Sequence, residues 1–221
     1  PSLYIYTEDD WWNGLSADEK EETETSLASL AQEFEDNIHP TLTTVFGSEW
    51  SPGIDKDTRI TILFHQMGKN NGGYTDTADE YPKEQLPESN EREMVYLNTR
   101  YINTDLAKSF LAHEFLHLID FNQKKKKQRV SEETWLSEIR SEYAPTLLGY
   151  DDPHEGSNLE NRVEAFLDKP SDSLTEWRET YYDYGVANLF AQYLVDHYSS
   201  DILVDTLKTS EAGIKSIDTF L

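Results

Sequence analysis

The chain has 221 residues and carries 43 acidic against 19 basic side chains, a net charge of −24 that repels phosphate backbones and argues against a nucleic-acid partner. It contains no cysteine, which excludes disulfides, cysteine nucleophiles and thiolate metal sites, and no run of 18 apolar residues that could span a bilayer. Apolar content is a modest 37%, but 13 Tyr, 9 Phe and 5 Trp can build a core, and the length suits one large domain or two lobes sharing a cleft. The acidity is compatible with structural calcium, although no loop spells a calcium motif. The chain opens Pro1-Ser2-Leu3 without Met or signal peptide, so a processed form is expected.

Leu3-Tyr4-Ile5-Tyr6 reads as a short strand, followed by a turn at Asn13-Gly14. Ser16-Ala17-Asp18-Glu19 matches a capping box and should start a helix, continued by Leu27, Leu30, Ala31, Phe34 and Ile38 at helical spacing. Pro40 should break or bend it, with a further turn through Leu42, Val45 and Phe46. Arg59 to His65 is the clearest strand; His65, near its end, reads as structural more readily than as a cleft residue. Residues 66–92 form a long polar segment containing Asn70-Asn71-Gly72-Gly73, and loops of this length tend to be functional or mobile. Glu93 to Asn98 is the next strand, and Asn103-Thr104-Asp105 offers caps for a helix beyond it.

That helix, Leu106 to Phe121, is apolar nearly all round, which predicts burial on most sides. Inside it lies His113-Glu114-Phe115-Leu116-His117, an H-E-x-x-H pattern. Helical residues four apart lie about 40° apart around the axis, so both imidazoles point the same way from successive turns. Such a pair can hold one zinc ion, with the Glu beside it placed to act on a water. Buried polar groups need partners, and a metal would satisfy both rings at once. The block Lys124 to Lys127 reads as solvated positive charge at a helix C-terminus rather than as an anionic-partner patch.

Beyond residue 130 no strand pattern appears. Helices are predicted over 132–148, 159–167 and 174–198, the last containing Gly185, with two short ones near 202–207 and 214–221. The order is a mixed half followed by an all-α half. The predicted organisation is therefore α+β, with residues 1–125 carrying the H-E-x-x-H helix and 126–221 forming a helical lobe, two lobes of one catalytic domain with the cleft between them.

A catalytic zinc usually has three protein ligands and a water. The extended pattern with a third His six residues after the second would need Gly at 120 and His at 123; Asp120 and Gln123 stand there instead. Asp120 lies on the histidine face but is too short to close on the same ion, and reads as a supporting carboxylate or a polar helix end. The better candidate is 21 positions after His117. Glu138 and Glu142 share one helix face, where two carboxylates repel each other in isolation. The pair makes sense if Glu138 binds the metal and Glu142 accepts the free N–H of a ligand histidine.

His113-Glu114-x-x-His117 followed by Trp135-Leu136-x-Glu138-x-x-x-Glu142-Tyr143 resembles the gluzincin metallopeptidases, a zincin-like plan shared by thermolysin-like and aminopeptidase families. Asp183-Tyr184-Gly185-Val186-Ala187-Asn188-Leu189-Phe190 is similar to a helix of the hyicolysin-like neutral metallopeptidases. The likeness spans roughly residues 93–221; it departs where such families have Gly after the ligand Glu and this chain has Ile139. The resemblance implies His113, His117 and Glu138 as Zn2+ ligands, Glu114 as general base, and either Tyr184 or Tyr182 as the donor to the oxyanion, with His154 a weaker candidate. It further implies a polypeptide substrate, paired along the strand Met94–Asn98 at the edge of the cleft.

An endopeptidase is the leading expectation. An aminopeptidase of the same clan is disfavoured because the strand lacks Gly-x-Met-x-Asn, and a non-catalytic binding module because Glu114 is retained. The expected setting is a monomer, bacterial, and secreted or at the cell surface.

Overall fold

Among the described residues the β-strands all lie in the first half of the chain. In the computed structural model residues 3–69 and 71–221 are described, so the opening Pro1-Ser2 and Asn70 of the polar segment fall outside the described residues. The protein is mixed α and β, with one four-stranded sheet and several helices. Contacts divide it into two units: Pro1–Thr41 with Trp50–Leu118, and Leu42–Glu49 with Ile119–Leu221.

In the first unit the sheet is built from β1 (Leu3–Thr7), β2 (Ile60–His65), β3 (Gly73–Tyr74) and β4 (Met94–Asn98), in the order β1-β2-β4-β3. β1, β2 and β4 are parallel, with Ile5 opposite Ile62 and Ile62 opposite Val95. Ile60, Ile62, Phe64, Val95 and Leu97 are almost wholly buried, as strands in the middle of a parallel sheet require. β3 runs antiparallel to β4 and closes that edge, pairing Tyr74 with Tyr96. Their rings stack 4.5 Å apart at 6°, a cross-strand contact that helps so short a strand to hold. The Tyr96 hydroxyl donates to Asp79 (2.6 Å) and accepts from Asn90 (2.7 Å); burial, then Asp79, push its pKa far above the ordinary phenol value.

Three expectations are corrected here. The segment 66–92, read as a long polar loop, is not loop throughout: it holds β3 and a 3₁₀ turn, Thr77–Glu80, tied down by Asn90 N–H donating to Asp79 (2.6 Å) and Ser89 donating to the Tyr81 carbonyl (2.6 Å). β4 is not an edge strand, because β2 and β3 flank it. A one-turn helix, α1 (Asp9–Gly14), occupies the stretch read as a turn at Asn13-Gly14.

The capping box places the start of α2 (Ala17–Glu33) as expected: Ser16 Oγ accepts from Glu19 N–H and Glu19 accepts from Ser16 N–H. Pro40 does not break the rod. A π-helical turn, Phe34–Ile38, leads straight into α3 (His39–Phe46); His39 N–H donates to the Phe34 carbonyl five residues back, so the helix is widened just where Pro40 lacks an N–H. Phe34 meets Phe115 edge-on at 4.9 Å, anchoring the helical layer to α4 (Leu106–Asp120). From Leu111 to Leu116 every residue of α4 is buried.

The second unit is helical: α5 (Thr134–Leu147), α6 (Asn158–Asp168), α7 (Tyr181–Tyr198), α8 (Asp201–Lys208) and α9 (Ile214–Phe220), with a π-helical segment, Phe121–Gln128, leading in. Trp135, Leu136, Ile139, Ala187, Ala191, Ile202, Leu203 and Leu207 form its core. α7 starts seven residues later than expected, because Thr180 and Asp183 form a second capping box. Lys124 is not solvated. It is fully buried, donates to the carbonyls of Thr206 (2.7 Å) and Thr209 (3.0 Å), and lies 3.4 Å from Glu132.

Candidate metal centre

α4 is a regular helix through the H-E-x-x-H stretch, so His113 and His117 leave it one turn apart on one side. Their rings are 4.9 Å apart at 75°, and the two Nε2 atoms face each other at 3.2 Å. Two nitrogens on one tetrahedral zinc, each about 2.0–2.1 Å from it, lie roughly 3.3 Å apart, so the imidazoles already stand at the separation a shared ion demands. His113 is buried and His117 half-buried.

Ligand atoms of His113, His117 and Glu138 all lie within 4.8 Å of one another. Two imidazoles and one carboxylate suit zinc and leave a fourth tetrahedral position open, the donor set of a catalytic rather than a structural site. Among the described residues no other group of three or more His, Asp or Glu side chains is arranged in this way.

Glu114 is buried at the same level of α4. The backbone of β3 passes directly over it: a Cβ on Gly73 would sit 3.1 Å from Glu114 Cγ and 2.7 Å from the Tyr96 carbonyl. Only glycine lets the edge strand approach the helix so closely. The Gly72-Gly73 pair carried no assigned role in the sequence, although a Gly pair ahead of an aromatic residue does signal close backbone approach.

On α5, Glu142 is wholly buried, and its carboxylate is held by Arg162 in a two-pronged ion pair, Nε and Nη2 each at 2.8 Å. Asn188 adds donations to the Glu142 carboxylate and carbonyl (3.1 Å each), and Asn158 a longer one (3.4 Å). Burial works against the charge on Arg162, but Glu142 outweighs it, with smaller contributions from Tyr184 and Glu138, and the guanidinium pKa stays above its ordinary value. Arg162 and Asn188 were not singled out in sequence; Asn188 does lie within the quoted α7 pattern, while Arg162 has no local signal.

Tyr184 lies with its ring face 4.8 Å from the Arg162 guanidinium and edge-on to Trp177 at 5.0 Å. Tyr182 faces elsewhere. Its hydroxyl donates to Asp168 (2.9 Å) and its ring is met by Lys169. That hydrogen bond, above all other influences, raises the Tyr182 pKa. Asp120 is buried at the end of α4 and accepts from Arg140 (3.1 Å). His154 is exposed, and His65 packs edge-on against Tyr74 and Tyr96.

No family model matches the chain. The chain is similar to a neutral metalloprotease, ShpI, of Staphylococcus hyicus, with 27% identity over 220 residues, covering 86% of this chain. It spans about half the length of that curated relative, 48%. No helix among the described residues is long and apolar enough to cross a membrane.

Proposed function

We propose that the chain is a zinc-dependent peptidase that cleaves within polypeptides. The observation that carries this reading is the convergence of His113, His117 and Glu138 beside a buried Glu114; similarity to a neutral metalloprotease supports it. His113, His117 and Glu138 hold the metal. Zinc bound there supplies Lewis acidity, which lowers the pKa of a water and polarises a carbonyl. Glu114 takes a proton from the attacking water and passes it to the leaving amine. Tyr184 donates its hydroxyl proton in a hydrogen bond to the oxyanion. Arg162 holds Glu142 in place from one side and backs the Tyr184 ring from the other.

The peptide pairs with β3, the edge strand beside β4, rather than with β4 itself. Gly73 lies against Glu114, so a peptide seated on that edge would bring its carbonyl near the base.

The decisive experiment is casein hydrolysis by zinc-loaded protein, with and without a chelator. The reading requires chelator-sensitive cleavage that Glu114→Gln abolishes while zinc still binds. Equal cleavage by the Glu114→Gln variant would refute it.

A further inference from the structure

The chain has 43 acidic but only 19 basic residues, and two of the basic ones line the same cavity. Lys69 and Arg100 line a cavity of about 240 Å³, together with Trp11, Met67 and Asn98. Both are exposed, and neither cationic group carries an ion pair or hydrogen bond among the described residues. The cavity adjoins the start of β3. Asn98 ties it there: its backbone N–H donates to the Gly72 carbonyl (3.0 Å), and its side-chain amide to the carbonyls of Asn71 (2.8 Å) and Gly68 (3.2 Å).

We propose that this cavity is a specificity subsite for a substrate carboxylate two or three residues past the scissile bond, selected by Lys69 and Arg100. The inference rests on the peptidase reading above. Gly73 sits against Glu114, so the carbonyl under attack is level with the N-terminal end of β3. Asn98, in the cavity wall, donates to the carbonyls of Gly72 and Asn71, the residues just before Gly73; a peptide extended along that edge, advancing about 3.4 Å per residue, reaches the cavity with its second or third residue beyond that point. Antiparallel addition to β3, the slightly stronger pairing, points the peptide C-terminus toward the cavity. Parallel addition would point the peptide N-terminus there instead, and a chain end at that side is an ammonium that two cations repel. The side walls of Trp11 and Met67 suit the methylene stem of Glu, and the cations suit its head. The carboxylate has two sources, an acidic side chain or a free C-terminus, and both present the same chemistry.

The test uses quenched peptides differing only at the second and third residues after the cleaved bond, Glu against Gln, with matched peptides ending there as a free acid or an amide. Cleavage is measured for the wild type and for the Lys69→Gln, Arg100→Gln and double variants. Binding of the same peptides to the zinc-loaded Glu114→Gln variant is followed in parallel by fluorescence anisotropy. The wild type should favour the carboxylate form, each cation contributing up to about fivefold at low salt, and the double variant should lose the difference. A preference for Glu assigns a side-chain carboxylate, and a preference confined to the free acid assigns the C-terminus. Equal binding and cleavage of all forms, or a preference that survives in the double variant, overturns the proposal. Charge-selective binding without cleavage by the wild type would instead sink the peptidase reading and leave the subsite standing.

Discussion

At the scale of single residues, the two tyrosines of α7 separate through what each ring touches. Two positions apart on a helix, they point about 160° away from each other. Tyr182 has committed its hydroxyl to Asp168, whereas Tyr184 stands against Arg162, the residue that grips Glu142 four positions after Glu138. An oxyanion donor must be aimed before the reaction begins, and removing one typically costs 10²–10³ in turnover. Tyr184→Phe should therefore lower kcat by roughly 10²-fold with little change in KM, and Tyr182→Phe should leave kcat within about threefold of wild type. Steady-state kinetics on one peptide substrate checks both; the reverse ranking would reassign the role.

At the scale of elements, α6 and α7 meet at Gly185. A Cβ there would sit 2.8 Å from both the Phe166 nitrogen and Ala165 Cβ, and 3.0 Å from the Arg162 carbonyl. Backbone atoms cannot yield as a flexible side-chain end can, so the methyl must push the helices apart. Gly185→Ala should cost about 1–3 kcal/mol despite the better helix propensity of alanine, measured by urea unfolding. Arg162 is on α6 and Tyr184 on α7, so activity should fall further than stability alone accounts for. A variant as stable and active as wild type would contradict this account of the helix contact.

At the scale of the whole molecule, a buried ionic network spans the second unit. Arg140 pairs with Asp120 (3.1 Å) and Glu132 (2.7 Å), Lys124 stands beside Glu132, and the Gly213 N–H donates to Glu132 (2.7 Å). It links the end of α4, the segment after it, α5 and the loop before α9. Arg140→Ala would leave Asp120 buried without its cation and Glu132 with Lys124 alone, at a cost of about 3–5 kcal/mol. The network also carries a pH dependence. Burial raises the Glu132 pKa, but Arg140 and the Gly213 N–H outweigh it and hold it below the ordinary glutamate value. A carboxylate with a depressed folded pKa adds stability above its unfolded pKa and loses it as pH falls through the folded one. Denaturation midpoints should thus drop as pH falls below about 4, and Glu132→Gln should flatten that drop. A midpoint independent of pH in this range would show that the network contributes nothing.

Much of the site is local and was therefore legible. His113 and His117, Glu138 and Glu142, and Ser16 and Glu19 are each within four residues of one another, and helical periodicity alone decides that each pair shares a side. Burial of α4 followed from apolar residues all round it. Thr180-x-x-Asp183 is a capping pattern just as local, and it sets the start of α7 at Tyr181 rather than at Leu174. Other features have no local signal. The two residues of β3 gain their place from stacking Tyr74 on Tyr96, 22 positions away, and from a glycine thin enough to lie on Glu114. Lys124 is buried because the carbonyls of Thr206 and Thr209 receive it more than 80 positions later. By itself the sequence determined which side chains share a helix face, because hydrogen bonds spanning four residues impose that geometry wherever a helix forms. Only the tertiary structure decided which strand forms the edge, which lysine is buried and which tyrosine stands beside Arg162, because packing between distant segments selects those partners.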